Sequence, residues 1–252
     1  MSGKIIVFAN QKGGVGKTTS VVNIGAFMAE EGKKVLLIDF DPQGNMSSSV
    51  GSDKEKPGIY EVISGKLTIK DAVQETTVRN LCVVSSNVNL AGANVELIEA
   101  EKRNFFLKNA ILTVIDDWDY ILIDCPPSLG ILTLNGLTAA QQVFIPMQCE
   151  YFALEGLSML LRTVKQVQKG ANPSLKLGGI IFTMYDSRTR LANEVVQQVT
   201  GYFKEKVFKT VIPRNVKLSE APSHSVPINQ YDMTCIGAKS YQKLAREVID
   251  RV

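Results

Sequence analysis

Short apolar runs alternate with amphipathic stretches along this chain, and the alternation predicts an α/β fold. Residues 4–9 (KIIVFA) and 34–39 (KVLLID) lack the polar alternation of a half-exposed sheet, so they read as strands covered on both faces. Runs at 81–85, 120–124, 143–147, 177–183 and 207–212 have the same character. Between them lie helical periods. Residues 17–31 put Val21, Val22, Ile24, Gly25 and Met28 on one broad face. Leu154, Leu157, Leu161 and Val164 form a second stripe, and Leu244, Ala245, Val248 and Val252 a third on the last helix. Strand–helix alternation of this kind implies right-handed βαβ units and a largely parallel twisted sheet with helices on both faces. Residues 51–58 are polar and read as a surface loop, and 53–80 carry no clear period.

The turn between the first strand and the first helix is rich in glycine and lysine: Asn10-Gln11-Lys12-Gly13-Gly14-Val15-Gly16-Lys17-Thr18-Thr19. Glycines at such a place let backbone N–H groups turn inward around phosphate oxygens, and the helix N-terminus adds its positive dipole end. This makes the fold class a P-loop NTPase. Lys17 is expected at the terminal phosphates and the Thr18 hydroxyl at Mg²⁺, the cofactor that accompanies ATP. Gln11 stands where the general pattern has its first glycine, and Lys12 adds a second lysine.

Two acidic strand ends follow, Asp39-Phe40-Asp41-Pro42-Gln43-Gly44-Asn45 and Asp124-Cys125-Pro126-Pro127. In a parallel sheet the carboxyl ends of the strands face the ligand crevice. Asp124 is expected to support the Mg²⁺ shell through water. Asp41, in a Pro/Gly loop, is expected to position the attacking water. Asp39 is either a further supporting carboxylate of the metal or a strand-end cap of the loop that follows.

Composition narrows the class. With 252 residues and 45% hydrophobic content, the chain can close one core, so residues 1–252 are expected to form a single domain. Four separated cysteines and a single histidine, His224, argue against a zinc site or a disulfide framework. There is no signal-type N-terminus and no apolar stretch near the roughly 18 residues of a membrane span, so a cytoplasmic location without membrane attachment is expected. Charge is uneven. Residues 188–252 hold eleven Lys/Arg against six Asp/Glu, while 1–187 hold seventeen against nineteen. Arg188, Arg214, Lys217, Lys239, Lys243 and Arg246 belong to the basic part, which suits an acidic partner.

The segments NQKGGVGKTT, DFDPQGN, YILIDCPPSLG, QCEYFALEGL and VIPRNVKLSEAPSH span most of the chain. Together they resemble the ParA/Soj ATPases of bacterial chromosome and plasmid partitioning, a branch of the deviant Walker-A superfamily. The resemblance implies that Lys12 reaches across a homodimer to the partner's nucleotide and that Asp41 is needed for hydrolysis. It implies that Pro213 and Asn215 border the adenine with Met184 nearby, and that Arg188 and Lys217 contact DNA. It also implies an ATP-bound sandwich dimer that holds double-stranded DNA without sequence preference, and so association with the nucleoid. A ParB-type centromere-binding protein would release it by stimulating hydrolysis. Because the P-loop begins by residue 11, no preceding DNA-reading domain is expected. Two alternatives are a membrane-associated division-site ATPase of the MinD type and a metabolic P-loop enzyme such as an amide-forming ligase. The final helix, without Trp or Phe, is expected to dock on the core rather than on a membrane.

Overall fold

The computed structural model describes residues 3–97 and 100–252; Met1 and Ser2, at the head of the N-terminal run, lie outside them. Seven strands form one sheet: β1 (Lys4–Phe8), β2 (Val35–Asp39), β3 (Val73–Glu75), β4 (Leu81–Val84), β5 (Tyr120–Asp124), β6 (Gln142–Gln148) and β7 (Lys176–Thr183). Their order is β3-β4-β2-β5-β1-β6-β7, parallel throughout except for β3, which runs antiparallel to β4 at one edge. Successive side chains of β1 enter different cores: Ile5 and Val7 pack on one face, Ile6 and Phe8 on the other.

Helices cover both faces. They are α1 (Lys17–Glu30), the short α2 (Asn45–Ser49), α3 (Ile59–Ile63), α4 (Ile69–Ala72), α5 (Leu90–Glu96) and α6 (Phe106–Leu112), then α7 (Ile131–Ala139), α8 (Ala153–Lys169), α9 (Arg190–Phe203), α10 (Val216–Glu220), α11 (Ile228–Tyr231) and α12 (Ile236–Arg251). α1 is buried on nearly every side. It lies so close to the sheet that a Cβ at Gly25 would stand 2.8 Å from a Leu37 methyl, which is why glycine occupies its inner face. Tyr241, Leu244, Ala245 and Val248 of α12 are buried in the core that holds α1. The last helix therefore docks on the protein, and among the described residues no helix is long and apolar enough to cross a membrane.

Two stretches depart from the sequence reading. Residues 207–212 are expected as a strand, yet they build no continuous ladder on β7: they meet it at one isolated bridge, Ile180 with Val207, and through two backbone bonds, in which the Phe208 N–H donates to the Ile180 carbonyl at 3.0 Å and the Ile212 N–H to the Phe182 carbonyl at 2.9 Å. Between those two bonds the Glu247 carboxylate accepts the N–H groups of Lys209 (2.8 Å) and Thr210 (3.0 Å), so the middle of the segment gives its donors to α12 rather than to β7. The unreadable stretch 53–80 contains α3, α4 and the three-residue β3, elements too short to show a period.

Candidate functional site

β1, β2 and β5 lie side by side, and their register brings Phe8, Asp39 and Asp124 level at the carboxyl edge of the sheet. The loop after β1 wraps over this edge. Gly14 (φ 71°) and Gly16 (φ 78°) adopt left-handed backbone conformations that a side chain would resist, and Gly16 caps the N-terminus of α1. Val15, between these two glycines, is buried. Lys17 is 7% exposed, and the Thr18 hydroxyl donates to Asp124 Oδ2 at 2.6 Å. Thr19 lies on the wall of the adjoining cleft.

The two strand-end carboxylates are fully buried but differently satisfied. Asp124 Oδ1 has no hydrogen-bond partner. Burial, reinforced by the nearby Asp39 charge, pushes the Asp124 carboxyl up to about 8, against the pull of the Thr18 hydroxyl and Lys17. An orphaned buried oxygen at a group that resists ionisation is what a bound cation would relieve, so the donor set of Thr18 and Asp124 fits Mg²⁺. Asp39 is occupied on both oxygens. Oδ1 accepts the Asp41 N–H at 3.2 Å, and Oδ2 accepts the Ser47 N–H at 2.8 Å and its hydroxyl at 2.6 Å. Ser47 Oγ in turn accepts the Ser86 N–H at 2.9 Å. Asp39 therefore ties the Asp41 loop and α2 to the end of β4, which is the loop-capping arrangement. Burial raises its carboxyl to about 6, opposed by the Ser47 bonds. Asp41 is 7% exposed and closes its own turn by accepting the Gln43 N–H at 3.0 Å.

Lys12 is placed differently from Lys17. Its side chain is about half exposed and ion-paired with Glu150, at the turn into α8. Its N–H bonds to Asn10 Oδ1 at 3.0 Å, and Asn10 donates to the Pro146 carbonyl at 2.8 Å. Gln148, at the end of β6, donates to the Gly14 carbonyl (3.3 Å) and to the Met184 sulfur (3.1 Å), and the Thr183 hydroxyl donates to the Val15 carbonyl at 2.7 Å. Glu150, Gln148, Thr183 and Ser47 have no role in the sequence reading. Glu150 and Gln148 sit within QCEYFALEGL, but nothing local shows what they touch.

A cleft of about 190 Å³ opens beside the loop, lined by Thr183, Met184, Pro213, Asn215, Leu218 and Tyr241 among others. Pro213, Asn215 and Met184 thus converge on it. Met184 holds an unusual positive φ of 49°, and Asn215 Oδ1 is buried without a partner. The Tyr241 hydroxyl lies 3.0 Å from Ser20 Oγ, so α12 reaches the helix that carries the phosphate loop.

The basic candidates fall into two groups. Arg188 and Arg214 share a neighbourhood, because the Tyr185 carbonyl accepts the Arg214 N–H and both arginines act on Asp186. The Arg188 guanidinium grips Asp186 at 2.7 Å and holds that carboxyl down at about 2. Lys217 follows on α10, paired with Glu220 at 2.9 Å and lying over the Tyr231 ring. Lys243 and Arg246 stand apart on α12, both exposed, with Arg246 paired to Glu31, just past the end of α1, at 2.8 Å.

Comparison with known proteins fits this geometry. An AAA-domain family model matches residues 3–177. The chain is 60% identical to the chromosome-partitioning ATPase Soj of Treponema pallidum, over 99% of this chain and 98% of that one. It is 49% identical to the chromosome partitioning protein ParA of Myxococcus xanthus, over 99% of this chain and 89% of the relative. Among solved structures, one described as cobyrinic acid a,c-diamide synthase from Mycobacterium smegmatis with bound ATP analog and magnesium superposes with a TM-score of 0.85 at 38% identity, over 98% of this chain and 94% of that one.

Proposed function

This chain belongs to the Soj/ParA family of chromosome-partitioning ATPases, and we propose that it works as one ATPase domain whose ATP-bound homodimer grips DNA and lets go on hydrolysis. The observation that carries this reading is the contrast between its two loop lysines. Lys17 is buried where it can meet the terminal phosphates of its own nucleotide, whereas Lys12 stands half in solvent on a single exchangeable ion pair. A cation so placed is free to meet the nucleotide of a second copy and stabilise charge developing there.

Residue roles follow from position. The N–H groups of residues 13–19 cradle the phosphates, and Pro213, Asn215 and Met184 border the base. Mg²⁺, when bound with ATP, would supply positive charge against the phosphate oxygens; Thr18 and Asp124 are the residues that would hold it. Asp41 orients the attacking water. Asp39 keeps the Asp41 loop in place. Arg188, Arg214, Lys217, Lys243 and Arg246 offer phosphate contacts that carry no base information, so DNA binding is independent of sequence. One protomer gives too few contacts at physiological salt, and a nucleotide-aligned pair doubles them. A ParB-type partner accelerates hydrolysis, and the protein works on the nucleoid in the cytoplasm.

Co-sedimentation with unrelated duplexes, in ADP, in ATP and without nucleotide, tests the switch on the Asp41→Ala protein. Binding confined to the ATP state is expected, and equal binding in all three rules the switch out. Lys12→Ala should fail to dimerise with ATP in size-exclusion chromatography; normal dimerisation would remove Lys12 from the interface.

The likeness to a structure described as a diamide synthase favours one other reading, an ATP-dependent amide-forming enzyme. Such an enzyme consumes ATP in step with a carboxylic acid acceptor. Steady phosphate release with only ATP, Mg²⁺ and DNA present, and no acceptor, decides against it.

A further inference from the structure

A cavity of about 940 Å³, larger than the nucleotide cleft, runs along β7, with Lys176 and Phe182 both on its lining. Lys176 begins that strand and Thr183 ends it at the phosphate loop, so roughly 23 Å of strand separates this rim lysine from the loop. The floor is apolar and includes the buried Phe182, Val207 and Phe208. The rim carries Lys176, Lys204, Lys206 and Lys209, all exposed.

The wall is firmly built. Arg251 donates to the carbonyls of Glu205 (3.2 Å) and Val207 (3.0 Å), pairs with Glu247 at 2.6 Å and lies 4.3 Å from the centre of the Phe208 ring. Glu247 holds the Lys209 and Thr210 N–H groups from the other side. These two charges neutralise each other while clamping residues 205–210 to α12. The four lysines are left with no ion pair among the described residues, and Glu205 is the one carboxylate on the lining. Lys204 is also held at φ 47°, ψ −119°, a conformation that residues with side chains rarely adopt. Glycine would take it without strain, yet a lysine stands there, with its charge at the rim.

We propose that this lysine-rimmed cavity is a second anion site, taking a ligand with several consecutive phosphates, separate from the nucleotide cleft. An apolar floor lowers the local dielectric and strengthens the attraction of the surrounding cations for such a ligand. A DNA backbone and a soluble polyphosphate share this chemistry. The site stands on cavity shape, backbone strain and charge, independently of the nucleotide switch.

The test uses inorganic tripolyphosphate without Mg²⁺, titrated calorimetrically into Lys17→Ala protein to weaken competing uptake at the phosphate loop. The same titration is repeated with Lys204→Gln, Lys206→Gln and Lys209→Gln added. Affinity is expected to fall at least about tenfold, since exposed charges contribute modestly one by one. Lys204→Gly alone should raise the melting temperature while weakening tripolyphosphate binding, the signature of strain kept for a ligand. A duplex arm separates the sources. If the ligand is DNA, the triple substitution in otherwise unaltered protein lowers the salt slope of duplex binding by about 2–3 per protomer; if it is a soluble polyphosphate, the slope is unchanged and only tripolyphosphate binding falls. Tripolyphosphate affinity unaltered by the triple substitution overturns the site. ATP hydrolysis without DNA is expected to be equal in the triple variant and the parent with Lys17 intact, so a failure here is distinguishable from a failure of the ATPase reading.

Discussion

The nucleotide end of the sheet and the basic surface around α10 and α12 hold their charges in opposite ways. At the nucleotide end, Lys17, Asp39 and Asp124 are buried, and both carboxyls are pushed far from the ordinary aspartate value. On the basic surface, Arg188, Lys217 and Arg246 are exposed, and each is paired with a carboxylate of its own chain. A buried charge commits its neighbours, because removing its counterpart leaves an unscreened ion in a poorly polarisable setting. An exposed pair commits little, and the cation can exchange a carboxylate for a phosphate without repacking. The first arrangement suits one ligand held in one geometry, the second suits any stretch of a polyanion.

That contrast is sharpest at Asp41. Asp41→Ala should lower the hydrolysis rate at least about a hundredfold while ATP binding persists, which a phosphate-release assay beside equilibrium ATP binding will measure. A variant that hydrolyses normally would move the water-positioning role elsewhere. Lys17→Ala should weaken ATP at least about tenfold, the value of one hydrogen bond to a charged group; undiminished affinity would mean that the buried lysine does not meet phosphate.

Proton linkage tests the buried end directly. Asp39 and Asp124 have raised values, so the folded protein binds protons that the unfolded chain has released. Their contribution to stability is full below about pH 4, and is lost as pH rises through about 6 for Asp39 and about 8 for Asp124. The melting temperature of nucleotide-free protein should therefore fall between pH 5 and 8.5 on the order of several degrees. ADP with Mg²⁺ should shrink the fall, and Asp124→Asn should flatten its upper part. Carboxyls with lowered values, such as the part-buried Asp186, act in the other direction but only in strong acid. A melting temperature that climbs over this range would contradict the buried, cation-seeking description of Asp124.

The smallest effects belong to the exposed side. Arg188→Ala or Lys217→Ala should each weaken duplex binding by the ATP dimer only a few-fold and lower the salt slope by about 0.9 per protomer. Neither should change the melting curve, because neither pair is buried. Loss of binding to one duplex sequence alone would show base reading and break the comparison.

Much of the nucleotide end was legible in the sequence. Strands covered on both faces announce themselves by unbroken apolar runs, and a glycine-rich turn between such a strand and a helix has few other uses. The loop, Asp41 and Asp124 could be assigned positions on those grounds alone. Segment 207–212 also reads as a strand and yet is none, because between its two bonds to β7 the Lys209 and Thr210 N–H groups go to Glu247, some 37 residues on. No local period carries that competition.

Chain order thus specifies which residues arrive at the carboxyl edge of the sheet, since strand burial and turn chemistry act over neighbouring residues. Which oxygen of each carboxylate is left free is settled only when distant segments meet. Asp39 is consumed by Ser47 and the Asp41 N–H, while Asp124 keeps Oδ1 unpaired. Gln148 and Thr183 reach the phosphate loop across more than 130 residues of chain, and Tyr241 meets Ser20 across 221. Such contacts depend on the packing of whole layers, and packing is a property of the folded chain rather than of any stretch of it.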